Sequence, residues 1–222
     1  MKVLKSLKKS TVLWILAITL FTGFNTLGQP PAPKTISTQE NLFGLASAGK
    51  YENKYFGFSF KFPEGYTVVE SEEAKLYSKA GVDVLRNTDI RKSKGLDEAF
   101  ANQATLFGLL QKPFGSPQNA VIEIIARKQA KGVTANMALL ASTSLMTSST
   151  GYKLTKVLPN PKFGGKTFAG AKLDGEFNSV KLTQELYVIM RREYAVYIGV
   201  TYSTDEGRKN MIDVLNSLVF IN

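Results

Sequence analysis

The chain has 222 residues, of which 44% are hydrophobic and 21% charged, a balance typical of one globular domain with some appended sequence. It contains no cysteine and no histidine, which excludes a cysteine nucleophile, a Ser-His-Asp triad, disulfides and metal ligation by thiolate or imidazole. The formal net charge is +10 for the whole chain and +6 without residues 1–28; this moderate positive charge favours contact with anionic surfaces or acidic proteins, and a soluble surface with excess lysine is the other interpretation.

Residues 1–28 have the order of a secretory signal peptide. Four lysines precede an apolar run from Val12 to Phe24, and the small residues Thr26 and Gly28 would allow cleavage before Gln29. The alternative is an uncleaved membrane anchor over residues 11–28, because a span needs about 20 apolar residues. Either way we expect the rest of the chain to be exported, into the periplasm or outside the cell. That remainder has 24 basic and 18 acidic residues, a net charge of +6.

Residues 29–50 begin with QPPAPK and show no sustained periodicity, so we expect a Pro-rich linker there and a single domain over residues 51–222. The domain opens with YENKYFGFSFKFPEGY, in which a phenylalanine falls on every second position. This alternation predicts a half-buried strand, which Pro63 ends. A core face against a helix is one interpretation of these rings, and a pocket for an apolar ligand is the other. The phenylalanines are Phe56, Phe58, Phe60 and Phe62.

The middle of the chain predicts two helices with two strands between them. Ser71 can cap the first helix, and the strands are Ala104–Leu110 and Ala120–Lys128, joined by a connection rich in proline and glycine. Thr134 can cap the second helix, which stops near Gly151. Its largely apolar stripe predicts the face that packs on the core: Met137, Leu140, Ala141, Ser144 and Leu145.

The last third alternates again. Strands are predicted at Tyr152–Leu158 and Lys166–Phe177, followed by a hairpin of Leu182–Met190 with Tyr194–Tyr202. Thr204 caps a final helix with Asp205 and Glu206 in its first turn. The core stripe predicted for this helix is Met211, Leu215 and Leu218.

Two basic clusters are the candidate binding residues, because lysine and arginine side chains can contact an anionic partner electrostatically; a solvated loop is the alternative interpretation. We predict no catalytic residue, no metal site and no cofactor. Carboxylates occur at Glu123, Asp174, Glu176 and Glu185, but their spacing does not distinguish an acid-base pair from a solvated sheet face. The candidate basic residues are Arg91, Lys92, Lys94, Arg127 and Lys128.

The segment from Tyr51 to Tyr66, with its Y-x-N and G-F-S-F-x-F-P sequence, resembles the opening of PsbP-like domains. The late strand, helix and Ser217-Leu218-Val219-Phe220 resemble the ending of the same family. The resemblance implies an α+β fold, an α/β/α sandwich whose central antiparallel sheet is flanked by helices. It also implies a binding or assembly-stabilising module rather than an enzyme. Histidine-based metal sites of photosynthetic members have no counterpart in this chain.

The expected function is therefore that of an exported, non-enzymatic domain that binds or stabilises an unknown envelope protein or contacts an anionic surface. No nucleic acid is expected as a partner, because the chain is expected to be exported. A membrane is expected only through the N-terminal segment, if that segment is uncleaved. The alternative function is a carrier of small apolar molecules or lipids in the cell envelope. A third hypothesis, a carboxylate-based hydrolase, would require two acids facing one cleft.

Overall fold

A computed structural model of the chain describes residues 42–69, 103–113, 116, 118–149, 152–177 and 180–221. The predicted leader 1–28, most of the linker 29–50 and the helix predicted from Ser71 lie outside these residues. The loop that carries Arg91, Lys92 and Lys94 also lies outside them.

The centre of the domain is an antiparallel sheet of seven strands in the order β4-β5-β6-β12-β11-β10-β7. Alternating and β-branched sequence produces these strands, and the strands predicted after residue 103 are confirmed with small shifts at their ends, except that Lys166–Phe177 is divided between β9 and β10. The bounds are β4 Thr67–Val69, β5 Gln103–Leu110, β6 Val121–Lys128, β7 Lys153–Leu158, β10 Ala169–Phe177, β11 Val180–Arg191 and β12 Tyr194–Tyr202.

A second sheet, in the order β1-β2-β3-β13, contains the phenylalanine-rich segment. Strand β3 pairs with β2 on one side and with β13, near the C-terminus, on the other. Gly57 turns the chain into β3 with φ of 67°, and its carbonyl accepts a hydrogen bond from the Ile221 N–H at 2.9 Å. The bounds are β1 Leu45–Ser47, β2 Lys50–Asn53, β3 Phe58–Lys61 and β13 Val219–Phe220, and a separate short hairpin joins β8 Lys162–Phe163 to β9 Lys166–Thr167.

Two helices are present among the described residues, α1 (Ala135–Ser149) and α2 (Asp205–Asn216). Helix α1 packs on one face of the central sheet, over β10, β11 and β7. The opposite face is covered by the second sheet together with α2. Rings from the second sheet form much of that core layer, with the centroids of Tyr51 and Phe107 4.3 Å apart.

The expected α/β/α sandwich is therefore wrong, because this is a β-rich fold in which a second sheet takes most of one flanking layer. The phenylalanine segment does form a strand, as predicted, and its rings are core rather than surface. Part of the predicted linker also belongs to the folded domain, since β1 and the start of β2 lie within residues 45–50.

Helix α2 begins and packs as the sequence predicts. The Thr204 hydroxyl accepts the Gly207 N–H at 3.1 Å, and Asp205 and Glu206 occupy the first turn, where a carboxylate stabilises the helix dipole. Met211, Leu215 and Leu218 are buried in the core.

Candidate functional site: the α1–β7 surface

Strand β7 is an edge of the central sheet. Among the described residues it pairs only with β10, so one row of its backbone N–H and C=O groups faces away from the sheet. The side chains from Lys153 to Val157 are all exposed. Edge strands of this kind are templates for pairing with another chain, and proteins normally protect them with lysine, bulges or a covering element.

A β-bulge gives this edge two chemically different faces. Val157 lies opposite Ala171 and Leu154 opposite Leu173, and both partners belong to the core beneath α1. Two residues three positions apart would normally point to opposite faces, but the register shift between Lys172 and Leu173 brings Leu154 and Val157 to the same face. The edge thus presents apolar side chains on the α1 side of the sheet.

The other face of β7 is basic. Lys153 lies opposite Asp174, and Lys156 lies opposite Lys172, so two like charges face each other across a strand pair. Such pairs are destabilising unless an anion approaches them. The lysines therefore favour an acidic group on this side of the edge.

Helix α1 extends the apolar side of the edge. Its fifteen residues include no charged side chain, and it packs beside β7. The stripe predicted to face the core is wrong in large part, because Met137 is 51% exposed and Leu140 61% exposed. The helix instead buries the adjacent stripe: Ala138, Leu139, Ser142, Thr143 and Met146. Both faces of α1 carry apolar residues, so burying one leaves the other in water.

The sequence of this region is basic up to Asp174, which the structure places opposite Lys153. Between Glu123 and Asp174 the chain contains no acidic residue, whereas the rest of the domain mixes both signs. This stretch includes α1, β7, the β8–β9 hairpin and the start of β10. Its eight basic residues are Arg127, Lys128, Lys131, Lys153, Lys156, Lys162, Lys166 and Lys172.

We use the name α1–β7 surface for the exposed side chains of Met137, Leu140, Leu154 and Val157 together with the lysines of β7. Exposed apolar side chains on an open sheet edge that also carries basic side chains are typical of an interaction site. Local clusters of positive charge in the sequence do not reveal this surface. The signal that would have found it is the fifty-residue interval without an acid.

The two candidate basic residues that the structure describes do not form one surface. Arg127 is buried, donates a hydrogen bond to Gln103 Oε1 at 2.9 Å and lies over the Tyr197 ring at 5.4 Å. Burial lowers the pKa of its guanidinium. Lys128 is exposed and forms an ion pair with Glu193 at 3.1 Å.

Glu123 is a buried acid in the centre of the sheet. It is 4% exposed, and in the described part of the structure neither carboxyl oxygen has a hydrogen-bond partner. Its neighbours on both adjacent strands are glycines, Gly108 and Gly199, so no side chain lies directly beside it. Burial raises the pKa of this carboxyl well above its usual range, which favours the neutral form.

Gln184 is a second buried polar side chain on the same face of the sheet. Its amide atoms also have no hydrogen-bond partner in the described regions. It lies on β11, two strands from Glu123. Gln184 pairs with Thr201 of β12, and Glu123 pairs with Gly199, two residues away on the same strand. Polar groups left unpaired in this way cost folding free energy.

Glu185 faces the opposite side of the sheet and is fully engaged. Tyr187 and Tyr202 donate their hydroxyls to its oxygens, and Arg208 of α2 binds it through two nitrogens at 2.6 and 3.1 Å. Burial raises the pKa of Glu185, but the hydrogen bonds from Arg208 and the two tyrosines outweigh burial and lower it. This cluster fixes α2 on the sheet.

The acids singled out in the sequence are thus separated. Glu123 and Glu185 lie on opposite faces, Glu176 is exposed, and Asp174 accepts the Thr183 hydroxyl at 2.7 Å. Within the described ranges no cluster of three or more acidic side chains offers a metal site. No helix in the same ranges has the length and apolar content to cross a membrane.

No protein-family model matches this chain, and no curated protein matches it either. Among solved structures it is similar to LpqN of Mycobacterium tuberculosis, which is involved in cell envelope biogenesis, at 12% identity and a TM-score of 0.46, over 74% of this chain and 83% of that one.

A protein from Bacteroides thetaiotaomicron aligns at 15% identity and a TM-score of 0.37, over 75% of this chain and 46% of its own. PA94 of Pseudomonas aeruginosa, a protein of unknown function, aligns at 16% identity and a TM-score of 0.35, over 53% of this chain and 81% of its own. Similarities of this size carry no argument about function. None of the three is named as a PsbP-like protein, so that resemblance is not confirmed.

Proposed function

We propose that the chain is an exported, non-enzymatic binding domain of the cell envelope, and that it holds its protein partner on the α1–β7 surface. One observation carries the proposal. The central sheet ends in an exposed edge strand that carries Leu154 and Val157 in water, and the helix packed beside it exposes Met137 and Leu140. Burying apolar side chains contributes roughly 25 cal/mol per Å² of apolar surface, so a partner would be stabilised there.

Export is part of the proposal and is supported by the signal-like order of residues 1–28. It is tested by mass spectrometry of the N-terminus of the protein isolated from its native host. A chain that begins near Gln29 fits a released domain, and an intact leader fits a membrane-tethered one.

The carrier function that the sequence left as an alternative depends on the phenylalanine face of the second sheet. That face packs against the central sheet, with the Phe60 and Phe107 ring centroids 5.3 Å apart and those of Phe56 and Tyr194 5.5 Å apart. The rings therefore serve the core, and we favour a protein partner at the edge.

The test is affinity capture of the tagged chain from cross-linked envelopes, comparing two variants of matched chemistry. Val157 is 64% exposed on β7, and Val219 is 57% exposed on β13 in the other sheet. Val157→Lys is expected to lose the captured partner, whereas Val219→Lys keeps it. Equal capture by both variants, with unchanged unfolding transitions, would remove the α1–β7 surface as the binding site.

A further inference from the structure

The edge of the sheet and the charges around it define what kind of partner fits. We propose that the partner supplies an extended segment, alternating between acidic and apolar residues, which adds to β7 as an eighth strand of the central sheet. This inference rests on the proposed function, because it specifies the partner of the same surface.

The backbone of β7 provides the first step. Its six residues span at most about 20 Å, and the bulge leaves Thr155 out of the regular register, so about five residues can pair with another chain. Its outward N–H and C=O groups have no strand partner in the described structure. Strand addition gives affinity through such main-chain groups and specificity through alternate side chains.

The side chains of β7 set the pattern of the added strand. On the α1 side, Leu154 and Val157 are apolar; on the other side, Lys153 and Lys156 are basic. Directly paired residues of two strands share a face, so a complementary strand carries apolar residues on the α1 side and carboxylates on the other. Because successive residues alternate between faces, that composition repeats with a period of two.

Charge complementarity extends beyond the strand itself. Lys172 lies next to Lys156 on the sheet, and Lys162 and Lys166 of the exposed β8–β9 hairpin belong to the same acid-free interval. An acidic segment approaching this side of the domain is attracted before it docks. A neutral or basic segment gains no such attraction.

Two other occupants fit less well. A membrane offers no hydrogen-bond partners to the open backbone row of β7, and unpaired backbone groups are not tolerated in hydrocarbon. A second copy paired through its own β7 would place Lys153 and Lys156 of both copies along one face, and no acid of β7 is available to offset them. An acidic strand satisfies both the backbone and the charge.

The experiment uses two fluorescent seven-residue peptides of identical composition, four glutamates and three valines, and measures their binding to the exported domain by anisotropy. One peptide alternates glutamate with valine; the other places the glutamates and valines in separate blocks. We expect the alternating peptide to bind at least about tenfold more tightly, because only its side chains match both faces of β7. Methylation of its backbone nitrogens at alternate positions is expected to abolish binding, while methylation at the intervening positions is tolerated.

Protein variants locate the peptide. Lys156→Glu is expected to weaken the alternating peptide about tenfold or more. Lys61→Glu, on the exposed side of β3 in the other sheet, is expected to have no effect. Equal binding of the two peptides would show attraction by charge alone and overturn strand addition.

Dimers in sedimentation equilibrium that Val157→Lys dissociates would assign the edge to a second copy. Binding to phosphatidylglycerol vesicles that Val157→Lys abolishes would assign it to a membrane. Either result would overturn the proposal. If envelope capture depends on Val157 but the alternating peptide does not bind, the proposed function stands and strand addition fails. If the peptide binds at Lys156 but Val157→Lys leaves envelope capture unaffected, β7 can accept an added strand, and the α1–β7 surface fails as the site that holds the envelope partner.

Discussion

Replacement of Glu123 by glutamine tests whether the sheet contains a neutral carboxyl group. The substitution keeps the shape of the side chain and removes its titration. In the folded protein the carboxyl is 4% exposed between two glycines, and burial raises its pKa well above the usual range. In the unfolded chain it titrates near pH 4.5. We expect the Glu123→Gln variant to be the more stable protein at neutral pH.

The magnitude follows from proton linkage. Above pH 4.5 the unfolded chain releases this proton and the folded protein keeps it, so the folded state binds more protons and its stability falls as pH rises. The slope for one proton is about 1.4 kcal/mol per pH unit, up to the folded pKa. The variant lacks this term, so its advantage over the original protein grows as the pH rises above 4.5, with a slope of at most about 1.4 kcal/mol per pH unit.

Arg127, the nearest buried charged residue on the same face of the sheet, does not reverse this pH dependence of stability. Arg127 lies four residues further along β6, about 13 Å away at the rise of an extended strand. Its guanidinium is engaged with Gln103 and Tyr197. Glu123 is therefore expected to titrate without a compensating cation.

The assay is urea unfolding followed by circular dichroism at pH 5, 6 and 7, with stabilities obtained by linear extrapolation. Glu176→Gln, the same substitution at an exposed acid of β10, is the matched control. A stability difference between Glu123→Gln and the original protein that is the same at all three pH values would refute the reasoning. It would mean that the carboxyl titrates alike in both states.

Two further predictions concern α2. Arg208→Met leaves the Glu185 carboxylate buried with hydroxyl donors alone, and should reduce stability by about 2 kcal/mol at pH 7. Because the folded pKa of Glu185 is lowered, this loss should shrink as the pH falls from about 4.5 through the folded pKa; a loss that does not change with pH would contradict the charge assignment. Thr204→Ala removes the acceptor of the Gly207 N–H and should lower the thermal midpoint by an amount equivalent to about 1 kcal/mol, whereas Thr204→Ser should stay within a few tenths.

Local patterns in the sequence were enough to predict most strands, because alternation depends on neighbours along the chain. They did not predict which sheet a strand joins. The phenylalanine strand pairs with β13 through Ser59 and Val219, residues 160 positions apart. Such a partner leaves no local trace, and the α/β/α sandwich that the resemblance implies does not contain this second sheet.

Local sequence patterns also did not predict how helix α1 packs. It is uncharged, and the stripe that contains Met137 and Leu140 and the stripe that contains Leu139 and Met146 are both apolar. Periodicity predicts an amphipathic face only when the opposite face is polar. The sequence therefore predicted the helix and its cap, but it could not predict which face is buried.

Glu123 was not distinguished from the other acids for a similar reason. In the sequence AVIEIIARK an acid between β-branched residues is typical of a strand with one solvated face. The strand is instead central, with β5 and β12 on either side, and both of its faces are covered. Burial of this carboxyl depends on strand order, which sequence alternation does not encode.

The open edge of β7 combines features that work against one kind of partner and in favour of another. Lysines and a bulge protect β7 from pairing with β7 of a second copy, because the second copy brings the same positive charges to the same face. An acidic strand would be attracted by the same lysines that repel a second copy, and it would pair with the same backbone groups. The lysines of β7 can therefore both prevent self-association and bind a partner. Two exposed apolar side chains on the edge, Leu154 and Val157, protect nothing, and a partner is the physical reason we infer for them.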